Sequence, residues 1–149
     1  MNYIFSPVHE FLAAWVRIPS VNTNAASSDT VIYVYYGNSD VPSSTQNANG
    51  VWDSDYVGVW HLSESPNDGG AGHVDSTGNN TAATPQNFQD GGGGSTNATG
   101  KIGGADYFAG DDDYVDCGNN AILDVNYITI ELWLNINSWI DNAGILAKG

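Results

Sequence analysis

The stretch 107–139, YFAGDDDYVDCGNNAILDVNYITIELWLNINSW, decides the reading of this chain, because an acidic turn in it leads into a strictly alternating run. Ile128, Ile130, Leu132, Leu134 and Ile136 take every second position, and Thr129, Glu131, Trp133, Asn135 and Asn137 take those between. Side chains of a strand point alternately to its two sides, so the pattern predicts a β-strand with one buried and one wettable face. Ile130, Leu132 and Leu134 are therefore expected in the core, with Thr129 and Glu131 at the surface. Trp133 falls on the polar face between Glu131 and Asn135. A ring in that setting suits stacking on a sugar, with carboxylate and amide hydrogen bonds around it. Trp139, close to Asn137 and Asp141, is the next such ring. A sheet packed on a neighbouring domain would present the same pattern, and this alternative stays open.

Outward from this stretch, strand signals recur and sustained helical periodicity is absent. Asn2-Tyr3-Ile4-Phe5, residues 11–18 (FLAAWVRI), residues 31–36 (VIYVYY) and residues 57–62 (VGVWHL) read as strands rich in β-branched and aromatic residues. Residues 20–30 and 41–50 are polar loops. Residues 63–100 are loop-rich and include Asp75-Ser76-Thr77-Gly78-Asn79-Asn80 and a glycine run at 91–94, read as a loop within one domain. A strand resumes over 101–108 (KIGGADYF). Many short strands separated by turn residues predict an all-β protein, an antiparallel β-sandwich or barrel.

Two phrases carry a family resemblance. Phe108-Ala109-Gly110-Asp111-Asp112-Asp113-Tyr114-Val115 and Ile128-Thr129-Ile130-Glu131-Leu132-Trp133 resemble the laminin-G-like branch of the concanavalin-A-like lectin/glucanase jelly rolls, and Trp60-His61-Leu62 followed by the Asp75 turn resembles the opening of such a domain. The resemblance implies a jelly-roll sandwich over 57–149, incomplete at its C-terminal side. Residues 1–56, with Ala14-Trp15-Val16-Arg17-Ile18-Pro19, Ile32-Tyr33-Val34-Tyr35-Tyr36-Gly37-Asn38 and Val51-Trp52-Asp53, resemble part of an uncharacterised β-rich module. That module commonly precedes laminin-G-like domains in large secreted or surface-attached microbial proteins. The expectation is a fragment of a longer extracellular or cell-surface protein whose signal peptide lies outside this chain. Unpaired sheet edges would then favour association with protein neighbours.

Composition narrows the partners. Three Lys and Arg stand against 17 Asp and Glu, a formal charge of −14 in 149 residues. So few cations argue against nucleic acid and anionic membranes, which need Lys and Arg to neutralise phosphates. Solubility alone accounts for much of the acidity. No apolar run is long enough to span a bilayer, so membrane insertion is not expected. The single cysteine, Cys117, cannot form an internal disulfide and reads as a small, half-buried packing residue.

Catalysis is not expected. Retaining glycan hydrolysis needs two carboxyl groups about 5 Å apart. The glucanase members of the superfamily place them with Glu-x-Asp-x-Glu or Glu-x-Asp-x-x-Glu. Here Glu131 has Thr129 and Trp133 two residues away, and Glu64 is followed by Ser65-Pro66. His9, His61 and His73 are scattered and no Gly-x-Ser-x-Gly elbow accompanies them. His61 reads as a structural histidine, and His73 as a loop residue that at most assists a metal.

Calcium is the more credible chemistry, since it takes carboxylates, carbonyls and amide oxygens from flexible loops. Asp75, Asn79 and Asn80 in one turn, with Asp111 and Asp113 in another, are the candidate ligands for a structural calcium that the resemblance also implies. The same residues make ordinary turns. The expected function is non-catalytic carbohydrate binding or adhesion, with a glycan or cell-surface polysaccharide as partner. Trp133, Glu131, Asn135 and Trp139 would be the contacts. The rival expectations are a spacer or assembly subunit of a surface protein, fibre or viral tail, and an accessory region of a larger enzyme or membrane complex.

Overall fold

The computed structural model describes residues 2–5, 12–22, 29–64, 72–88, 95–139, 141 and 144–148. His9, Phe11 and the glycine run at 91–94 lie outside the described residues. The chain divides into two units, Met1–Tyr56 and Val57–Gly149.

In the first unit, β1 (Asn2–Phe5) pairs antiparallel with β2 (Leu12–Trp15), Asn2 opposite Trp15 and Phe5 opposite Leu12. Both carry the aromatic and aliphatic residues that strands favour. The strand expected over 11–18 is thus confined to its middle. A single helical turn, α1 (Ala48–Val51), follows Asn47, whose side chain accepts from the Gly50 N–H at 3.1 Å. That is the usual way a short polar side chain satisfies an unpaired amide at a helix start. Val51 is buried, and the Trp52 and Tyr56 rings meet edge to face at 5.0 Å. The strand expected over 31–36 does not form: these residues lie in no ladder, and Tyr35 and Tyr36 are each 92% exposed.

The second unit has two short ladders. β3 (Thr84–Gln86) pairs with β6 (Tyr114–Asp116), and β4 (Ser95–Thr99) pairs with β5 (Gly104–Tyr107) through a register shift between Ser95 and Ala98. Isolated bridges join Trp60 to Asp75 and His73 to Ala83. Residues 72–100, expected to be mostly loop, therefore carry β3, β4 and these bridges. The run 57–62 contributes one bridge rather than a strand. Cys117 follows β6 and is half-buried, which pushes its thiol pKa up, with the Asp116 charge adding to the effect. A 3-10 turn spans Ala121–Leu123, and the Asn120 side chain accepts from its Ile122 amide at 3.1 Å. Among the described residues the regular structure is thus mainly antiparallel β, in three separate two-stranded ladders.

One expectation fails clearly. Residues 128–136 lie in no ladder, and Ile130, Leu132 and Leu134 are 45%, 50% and 55% exposed rather than buried. Thr129 and Glu131 are exposed. Alternation decides which side chains share a face, but burying that face takes a second layer, and forming the strand takes a hydrogen-bonding neighbour. Among the described residues neither is supplied.

Burial in the second unit concentrates elsewhere. Ala83 and Phe88 are buried together with His73, Asp75, Ser76, Thr77 and Thr81. Phe88 meets the edge of Phe108 at 5.1 Å. Among the described residues the burial of this unit thus falls mainly on a polar knot, with one aromatic pair besides.

Candidate functional site

The knot is built on Asp75. Its Oδ1 accepts from the Val59 amide at 3.0 Å and the Thr77 amide at 2.9 Å. Its Oδ2 accepts from the Thr77 hydroxyl at 2.7 Å, and from the amide and hydroxyl of Thr81, each at 3.0 Å. Five donors therefore fill one carboxylate, which offers about four lone-pair sites. Burial disfavours the charged form, but the hydrogen bonds from Thr77, Val59 and Thr81 outweigh it and hold the carboxyl below its ordinary value. Around it Ser76 N–H donates to the Val59 carbonyl at 2.8 Å, and the Trp60 indole donates to the Thr81 carbonyl at 2.7 Å. Asn80 closes the turn in the left-handed region, φ 53°, which Asn tolerates better than most residues.

Asn79 and Asn80 point their amide nitrogens at carbonyls, Val57 and Gly78 respectively, each at 3.2 Å. Asp75, Asn79 and Asn80 thus share one turn. A cation at Asp75 would have to displace donors already in place, so this set does not fit calcium.

His73 lies two residues earlier and its side chain is fully buried. Its Nε2 is 2.7 Å from Asp106 Oδ2, on β5, whose side chain is also fully buried. On the other side Nδ1 is 3.4 Å from Glu64 Oε2, a carboxylate 30% exposed. A neutral imidazole offers one N–H, whereas both ring nitrogens here face carboxylates, and only the imidazolium suits both. Burial works against that charge, but Asp106 and then Glu64 outweigh it and raise the His73 pKa above its ordinary value. His61 moves the opposite way: burial lowers its pKa, with Glu64 opposing. The Glu64–His73–Asp106 constellation was not foreseen, because its members stand 9 and 33 positions apart and only the pairing of distant segments joins them.

Asp111, Asp112 and Asp113 form a second acidic group, with one carboxylate oxygen from each within 4.8 Å of the others. Asp113 Oδ2 accepts from the Ala109 amide, and its Oδ1 is buried without a hydrogen-bond partner among the described residues. Three hard oxygen donors fit calcium chemistry. Among the described residues no hydrogen bond links this group to the Asp75 turn.

Of the aromatic candidates, Trp133 is 72% and Trp139 is 79% exposed, and Glu131 and Asn135 are exposed as well. Lys101 Nζ lies 5.8 Å from the Trp133 ring centroid, within reach of a cation–π attraction. The chain's other two cations are also engaged: Arg17 lies 3.8 Å from Asp53, and Lys148 contacts Asp124 and the Leu123 carbonyl. No family model, curated protein or solved structure matches the chain. No helix among the described residues is long and apolar enough to cross a membrane.

Proposed function

We propose that this chain is a non-catalytic carbohydrate-binding segment of a larger extracellular or cell-surface protein. In this reading residues 57–149 are part of a laminin-G-like β-sandwich and residues 1–56 part of a preceding β-rich module. The observation that carries it is the Trp133 ring, 72% exposed between exposed Glu131 and Asn135. An aromatic face so open costs solvation unless something stacks on it, and the flanking carboxylate and amide supply the hydrogen bonds a sugar needs. The reading assigns no catalysis, since the carboxylate–imidazole contact of His73 and Asp106 is sealed from solvent on both side chains.

Trp133→Ala tests it. The ring is mostly in water, so the expected stability loss is below about 1 kcal/mol, most of it the Lys101 contact. Loss of a stacking ring worth about 0.5–1.5 kcal/mol should weaken glycan binding about two- to thirteen-fold. Thermal melting together with a glycan array separates the two. A large fall in melting temperature, or unchanged binding, removes Trp133 from the site.

Calcium enters this proposal at Asp111, Asp112 and Asp113, where it would fasten the loop ahead of β6. A native-state ligand stabilises by about 2.7 kcal/mol at a hundredfold excess over Kd. Calcium should therefore raise the melting temperature, chelator should reverse the rise, and Asp111→Asn with Asp113→Asn should abolish it. Equal melting with calcium and with chelator eliminates the ion.

A second reading, assembly within a surface protein or fibre, draws on a different observation. Ile128, Ile130, Leu132, Leu134 and Ile136 are all between 45% and 59% exposed, and large apolar side chains exposed together in one segment are of the kind that marks protein contacts.

A further inference from the structure

We draw no further inference here: the strongest candidate, the exposed apolar surface of residues 128–136 in the 57–149 unit, carries nothing because no feature among the described residues shows what covers it.

Discussion

Replacing His73 with Gln should destabilise the 57–149 unit by about 3–5 kcal/mol, the cost of removing one partner from a buried ion pair. His73 Nε2 lies 2.7 Å from Asp106 Oδ2, an ion-pair distance without hydrogen-bond alignment, and neither carboxylate oxygen of Asp106 has a hydrogen-bond partner among the described residues. Without the cation, a fully buried carboxylate has nothing to balance it. The pair also carries a pH signature. The folded-state pKa of His73 is raised above 6.5, so its contribution is fully present below about that pH and is lost as pH rises through the folded value. Urea unfolding of the wild type should therefore show stability falling on the alkaline side, and His73→Gln should flatten that limb. A variant as stable as the wild type, with the same alkaline limb, would show that the pair contributes nothing.

Asp75→Asn is expected to cost about 3–4 kcal/mol, because hydrogen bonds to a charged group are worth about 1.5–3 kcal/mol each and stranded buried donors add their own penalty. The amide keeps the shape of the carboxylate but turns an NH2 toward one set of donors, Val59 and Thr77 or Thr77 and Thr81. The sign of the pH effect is opposite to that of His73. The folded pKa of Asp75 lies below 3.8, so its contribution is present above about that value and is lost as pH falls through the folded one. The two groups together place greatest stability between about pH 4 and 6.5. Denaturant midpoints across pH 2–9 check this, and the Asn variant should lose the acid limb. An acid limb unchanged by the substitution would assign it to other carboxylates.

How much of this was legible in the residues depends on distance along the chain. The β character was in part, since Asn2–Phe5 and Leu12–Trp15 fall inside runs rich in aromatic and aliphatic residues, whereas Gly104–Tyr107 forms a strand despite Gly, Ala and Asp, which strands disfavour. The turn at Asp75 was visible as a turn, because Asp, Ser, Gly and Asn favour one in any context. Its role was not, since the donors on Val59 and Thr81 reach Asp75 across 16 and 6 positions. At 128–136 the sequence pattern named a face, but burial is a property of what lies against that face. Residues 31–36 are a similar case, with strong strand propensity and no ladder partner. Trp133 is exposed, but so are Ile130, Leu132 and Leu134 beside it, so the alternation does not account for its exposure, and its contact with Lys101, 32 positions away, was not legible.

The polar knot also shapes how stability varies with temperature. Unfolding raises heat capacity where apolar surface meets water and lowers it where polar surface does, by about +0.45 and −0.26 cal/K/mol per Å². Among the described residues of this unit the buried set is largely His73, Asp75, Ser76, Thr77 and Thr81, while Ile128, Ile130, Leu132, Leu134 and Ile136 are already wet in the folded chain. Melting therefore uncovers little additional hydrocarbon. The free-energy curve flattens, its enthalpy changes slowly with temperature, and cold denaturation recedes to temperatures well below those of a protein held by an oily interior.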